Sequence, residues 1–347
     1  MTTHTPRPRP VLGALVIALV GSVAVAWAAT VYDNFDDGVI NPFFWSAYPE
    51  GGASIDETAG GMRFTIPATA SGPAISSQLH SRCHVRGDFD VQVNFSLTAW
   101  PATNGVRVSL AVVSADANAP SPAVIIERAS LAPDEFPGSD REVYAVDGGA
   151  GATLAPGSDL AGALRLTRSG GTITGWAWQQ SSWMPIGSST IGPSSDIVFA
   201  LNSFTTDAQF GGETVQAVYD NVVVNSGEIV DCPVDTVATM ARDDEYTFTI
   251  NRSGKKAFPI WLTSTPTFDA TQIDPATVRF GAFGGPQYTP EKSNVGDVNH
   301  DGRTDLKLLF KDVFVTCSTR LVVLTGQTFA GDSFGAFATV TTVGCQN

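Results

Sequence analysis

Nine residues towards the C-terminal end of the sequence carry its strongest chemical signal. In Asp297-Val-Asn299-His-Asp301-Gly302-Arg303-Thr-Asp305, oxygen-bearing side chains recur at alternate loop positions, with glycine at the sixth. That spacing wraps a chain around a hard cation: glycine permits the sharp turn, and the carbonyl of the seventh residue, Arg303, adds a donor. The expected Ca2+ ligands are Asp297, Asn299, Asp301, Asp305 and the Arg303 main chain, with water completing the shell. The twelfth position, where helical calcium loops place Glu, is Leu308. The segment runs on instead into Asp305-Leu-Lys-Leu-Leu-Phe310, an alternating strand. Three carboxylates crowd one hairpin, so the ion is expected to relieve their repulsion and stabilise the fold rather than to catalyse. The same run also reads as a metal-free Asn/Asp/Gly turn.

A second candidate is Trp176-Ala-Trp178-Gln-Gln180. Residues two apart on a strand share a face, so the two indoles stand side by side. On a concave face they would stack on sugar rings, with Gln180 donating to hydroxyls; on the other face they would fill the core. Trp45, Phe95 and Trp183 read as core. Catalysis has no visible machinery. Glycoside hydrolysis needs two carboxylates roughly 5–10 Å apart, and no strand carries acids at alternating positions. The densest acidic run, Asp134-Glu135-Phe-Pro-Gly-Ser-Asp140-Arg-Glu142, reads as a solvated turn around its Pro-Gly-Ser centre. His80 and His84 would lie about 13 Å apart on one strand face, too far to share a metal.

These groups must be positioned by β-structure. Helical periodicity is nearly absent across the 347 residues, and short alternating runs recur between Gly, Pro, Ser, Asn and Asp. Phe89, Val91, Val93 and Phe95 fall on one face of their run, and Val106–Val112 alternates likewise. Ser114–Pro122 reads as a loop. Charge divides the chain. Residues 29–228 hold eight Arg, no Lys and 21 acids, whereas residues 229–347 hold ten basic and 13 acidic groups, with all five lysines. The expected organisation is a β-sandwich over 29–228, a linker over 229–240 and a smaller β-sandwich over 241–347. Its strands are expected at Tyr246–Ile250, Phe258–Leu262, Thr277–Phe280, Leu306–Phe310, Arg320–Leu324 and Phe337–Val343.

Residues 1–28 read as a signal peptide. Arg7 and Arg9 precede an apolar run from Val11 to Ala26, and Ala26-Trp27-Ala28 supplies a small-x-small cleavage pattern. The run is short for a spanning helix, so the mature chain is expected to be secreted without a membrane span; a retained anchor is the other reading. Export makes the four cysteines a disulfide framework with three possible pairings. Cys317–Cys345 and Cys83–Cys232 are favoured. The net charge of −14, with no basic run, excludes nucleic acid as a partner.

The first region opens Asp33-Asn-Phe-Asp-Asp-Gly38, reaches Phe44-Trp45, and later shows Leu164-Arg-Leu-Thr-Arg-Ser-Gly-Gly171 before Trp176. It closes with Tyr219-Asp-Asn-Val-Val-Val224. Across residues 31–228 this resembles the concanavalin A-like lectin/glucanase superfamily, in a bacterial branch related to laminin-G-like modules. The resemblance implies an all-β, two-sheet jelly roll with one concave face, its first and last strands paired. It also brings in glycoside hydrolases and polysaccharide lyases; lyase chemistry there needs a Tyr/His pair, and the neighbourhoods of Tyr144 and His80 do not match it. The 297–305 loop resembles integrin-type FG-GAP calcium loops and the first half of a dockerin loop, within a C-terminal module common in secreted bacterial proteins.

Three functions follow as expectations. The first is an exported non-catalytic protein recognising glycan or another extracellular polymer through the concave face. The second is a structural or adhesion protein, and the third a hydrolase or lyase whose acids lie on separate strands. Oligomeric state is not legible.

Overall fold

A computed structural model describes residues 30–345 apart from 37, 59, 119–121, 134, 136–140, 235, 242–246 and 252–256. The expected signal peptide therefore lies outside the described residues. No helix among those described is long and apolar enough to cross a membrane. The all-β expectation holds: apart from a single 3-10 turn, Ala270–Gln272, the regular structure is strand.

The first fifteen strands are β1 Thr30–Asp33, β2 Trp45–Glu50, β3 Ser54–Thr58, β4 Gly61–Ile66, β5 Ile75–Ser81, β6 His84–Ala99, β7 Arg107–Ser114, β8 Val124–Ser130, β9 Glu142–Asp147, β10 Ala152–Pro156, β11 Ala161–Ser169, β12 Thr172–Gln179, β13 Ser182–Ser189, β14 Ile197–Thr205 and β15 Val215–Val230. They pair antiparallel into two layers. Sheet I runs β10-β9-β8-β7-β14-β5-β2, and sheet II runs β13-β12-β11-β6-β15 with β4-β3 and β1 sharing the far edge of β15. A single residue pair, Ile197 with Val85, joins the layers. β1 lies on Val222–Val224, as the paired-ends resemblance implied. The Asp33 carboxylate fixes that corner, accepting from the Trp45 indole at 2.7 Å and the Phe35 amide at 2.9 Å.

Alternation generates the core. Leu110, Val112, Ile126, Phe199 and Leu201 point inward from sheet I; Val91, Val93, Leu164, Leu166, Ala217 and Tyr219 meet them from sheet II. Burying each Val, Leu, Ile or Phe side chain among them contributes about 1.5–3 kcal/mol. Cys83 bonds Cys232, tying the start of β6 to the chain just beyond β15, and Cys317 bonds Cys345. Both favoured pairings are present, of a kind that persists in oxidising compartments.

Two smaller sheets use residues 236–343. Strands Phe258–Thr263, Asp305–Phe310, Leu321–Gln327 and Ser333–Val343 enclose a core of Phe248, Phe258, Phe280, Phe310 and Phe334. Two of the pairings there are parallel. Thr236–Val237 and Thr247–Asn251 run parallel to Ser333–Val343, on its free edge, because the chain returns across the sandwich rather than by a hairpin. Residues 229–240 do not form a loose tether. β15 continues to Val230, Cys232 is bridged and Val234 is buried. Phe43 packs with Val234 and Val323, its ring so close to Gly335 that an added Cβ there would sit 2.4 Å from Phe43 Cζ.

Candidate functional site

Strand register places the outward side chains of sheet I in transverse rows. The middle row is Tyr48, Gln78, Asn202, Ser109 and Glu127, each opposite the next on adjacent strands. One flanking row holds His80, Ala200, Ala111, Ile125 and Asp147, and the other Ser76, Phe204, Arg107, Ala129 and Val143. Outward residues of an open sheet are normally solvated, yet Ser76, Ser109, Ala111, Ala129, Val143 and Ala200 are all buried. This face is recessed. Its small side chains leave room, and a cavity of about 230 Å³ opens over Gln78, His80, Ala111, Ile125, Asn202 and Phe204.

The polar groups in the recess are held by one another. Asn202 Nδ2 donates to Ser109 Oγ at 3.1 Å, and His80 Nε2 lies 3.1 Å from Gln78 Oε1, its ring edge-on to Tyr48. Burial lowers the His80 pKa, keeping the imidazole neutral at pH 7. At the far end Arg107 pairs with Glu135 and, at 3.4 Å, with Glu127, and its guanidinium lies over the Phe204 ring. Burial pushes the Glu127 carboxyl from an ordinary 4.5 up to about 7; Arg107 pulls against this, while Asp147 and Glu135 add to it. The recess is thus lined by amides, hydroxyls and aromatic edges. Among the described residues its one strong cation, Arg107, is spent on two carboxylates.

Sequence reasoning missed every one of these residues as a site. It also read Glu135 and Glu142 as parts of a solvated turn, which the structure corrects. Glu135 accepts from Arg107, from the Ala132 amide at 2.9 Å and from Gln209 at 2.6 Å. Glu142 accepts from the fully buried Arg128 at 2.5 Å and from the Trp100 indole at 3.0 Å. Asp134 and Asp140 lie outside the described residues. His80 and His84 are on separate strands, because the chain turns at Arg82-Cys83, and His84 faces Asp231 at 3.4 Å. Tyr144, buried and inward-facing, does not meet His80 on the recess.

Trp176 and Trp178 are neither on the recess nor in the core. Ile173 and Ala177 take the inward positions of β12, so both indoles stand on the outer face of sheet II. Trp176 Nε1 donates to Thr167 Oγ1 at 2.9 Å, and Trp178 is 41% exposed. Trp183, expected in the core, sits opposite Trp178 in the ladder and meets it edge-on, with Arg165 over its ring. Arg165 in turn pairs with Asp90, Nε to Oδ1 at 2.7 Å. Trp45 and Phe95 are core, as expected. Gln180 belongs to neither group; it tips the β12–β13 turn.

In the 297–305 hairpin the expected donors serve the loop itself. Asp297 accepts from the amides of Asp301 and Gly302, Asn299 from that of Asp301, and Asp301 from the amide and guanidinium of Arg303. The Arg303 amide, then its side chain, hold the Asp301 carboxyl below its ordinary range. Asp305 is wholly buried, its two oxygens on the amides of Ser264 at 2.8 Å and Val298 at 2.9 Å. Carboxylate repulsion is therefore relieved by main-chain donors. Among the described residues no three His, Cys, Asp or Glu side chains converge as a metal cluster.

No protein-family model matches the sequence, and no curated protein matches it. Among solved structures, a β-1,3-1,4-glucanase from a mouse hindgut metagenome is similar at 13% identity over 57% of this chain and 99% of that one, TM-score 0.42. The β-glucanase of Bacillus licheniformis shares 12% over 58% and 99%, TM-score 0.39. The calcium- and mannoside-bound lumenal domain of the protein VIP36 shares 13% over 57% and 91%, TM-score 0.40. At these values the fold rests on strand order and register rather than on the likenesses.

Proposed function

We infer that the protein is an exported carbohydrate-binding protein and that the recess of sheet I is its binding face. The observation that carries this reading is the transverse row Tyr48, Gln78, Asn202, Ser109 and Glu127, uncharged along most of its length, above a floor of small residues. Adjacent strands lie about 4.8 Å apart, so five strands present hydrogen-bonding groups over about 19 Å. Amide and hydroxyl groups pair with sugar hydroxyls in both directions, and the edges of Tyr48 and Phe204 offer apolar contact. A linear neutral glycan lying across the strands satisfies that row. Two disulfides and the apolar N-terminal run support export.

A binding screen over neutral polysaccharides and glycans tests the reading. Asn202→Ala is expected to weaken binding at least tenfold and Trp178→Ala to leave it unchanged. No binding by folded protein, or loss confined to Trp176 and Trp178 variants, overturns it.

Calcium in the 297–305 hairpin is a separate proposal, supported by the Asp-x-Asn-x-Asp-Gly spacing. Asp297, Asn299, Asp301, Asp305 and the Arg303 carbonyl would hold the ion, since an ionised carboxylate oxygen that accepts one amide keeps a second lone pair. The ion would stabilise the hairpin. At a hundredfold excess over Kd, Ca2+ should add about 2.7 kcal/mol, read as a rise in Tm that a chelator reverses and Asp297→Asn removes. A Tm indifferent to calcium refutes it.

A further inference from the structure

A second cavity, of about 540 Å³, opens at one end of the sandwich, where β9 and β10 meet the β12–β13 turn. Arg141, Glu142, Ser158, Asp159, Gln179 and Gln180 line it. Its volume lies within the ~300–1,000 Å³ of small-molecule sites. Buried groups brace its walls. Arg128, fully buried, holds Glu142 and donates to the Asp159 carbonyl at 3.2 Å, with its guanidinium over the rings of Trp100 and Tyr144. The Tyr144 hydroxyl donates to Asp159 Oδ2 at 3.2 Å. Gly157 lies flat against Tyr144, where an added Cβ would come within 2.2 Å of the ring.

The mouth has an unusual construction. Gln180 and Ser181 form a two-residue hairpin turn with φ of 50° and 64°. Turns of this kind favour Asn-Gly or Gly-Gly, because both positions need positive φ. A glutamine is held there against its backbone preference, with its side chain lining the cavity. Strain of this kind persists only where the surrounding structure holds it, and here it keeps Gln180 at the cavity mouth.

We propose that this cavity is a second saccharide site, which takes the hydroxyl-rich end of a neutral sugar independently of the recess on sheet I. Its carboxylates accept from sugar hydroxyls, its amides donate and accept, and with Arg141 set against Glu142 and Asp159 the lining suits an uncharged ligand. Two sites on one chain would raise avidity for a polymer long enough to reach both.

The test titrates the full chain with cellobiose, maltose, lactose and diacetylchitobiose, read by saturation-transfer NMR and calorimetry. At least one disaccharide is expected to bind the wild-type protein. Gln180→Gly should weaken it at least tenfold while holding or raising Tm, because glycine removes the turn strain. Asp159→Asn should weaken it in the same direction, and Thr174→Ala, on the outer face of sheet II, should leave it unchanged. The proposal is overturned if none of the four binds, or if binding survives both Gln180→Gly and Asp159→Asn.

Discussion

The two outer faces of the N-terminal sandwich are written in the same alternating strands and end in opposite environments. On sheet II the outward residues Asp90, Gln92, Arg165, Thr167 and Trp176 are half-buried, the ordinary state of a solvated sheet face. On sheet I the corresponding positions Ser109, Ala111, Ala129, Val143 and Ala200 are buried, and two carboxylates share one arginine among them. The aromatic pair that looks most like a sugar platform sits on the solvated face. Polar groups with room above them sit on the recessed one. Residue type alone therefore misplaces the site; the environment of each face decides it.

The largest expected contrast is between the two arginines. Arg107→Ala leaves Glu127 and Glu135 buried without their cation and should cost about 3–5 kcal/mol in denaturant unfolding. Arg165→Ala, which removes the partner of Asp90 on the outer face, should cost about 1 kcal/mol. Equal costs would erase the distinction between the faces.

The next contrast is in pH. Below pH 4.5 both the folded and unfolded chains protonate Glu127. Between 4.5 and about 7 only the folded chain does, so stability falls as pH rises and levels off above about 7. The drop attributable to this residue is about 3 kcal/mol, and Glu127→Gln should flatten it. An unchanged pH profile would mean that Glu127 is not desolvated in the recess.

Filling the recess sharpens the comparison from the functional side. Ala200→Trp should reduce glycan binding at least a hundredfold with Tm preserved, whereas Thr174→Trp on the outer face should change neither. Smallest of all, Trp178→Ala should shift stability by about 1 kcal/mol or less, since the side chain lies at the surface with 41% of its area exposed.

Much of the fold was legible because it depends on alternation. Phe89, Val91, Val93 and Phe95 face the core as their spacing required, and the paired ends at Val31 and Val223 matched the resemblance. The strand Lys292–Gly296 had no such signal, being exposed along nearly its whole length. The site was less legible. Tyr48, Gln78, Asn202 and Glu127 come from four strands far apart in sequence, and only register brings them into one row. One signal was present. Apart from Arg107 at the start of β7, the outward positions of β7 and β14 carry residues such as Ser109, Ala111, Ala200 and Asn202 rather than the charges of a solvated face. For the 297–305 hairpin, spacing identified the donors but not the main-chain amides they meet.

Hydrogen–deuterium exchange of the full chain, with and without a neutral polysaccharide it binds, tests the central claim most directly. The account predicts protection concentrated in β5, β7, β8 and β14, with β11 unchanged and any change in β12 and β13 limited to the Gln179–Gln180 turn of the second cavity. Protection confined to β12 and β13 around Trp178 would contradict it.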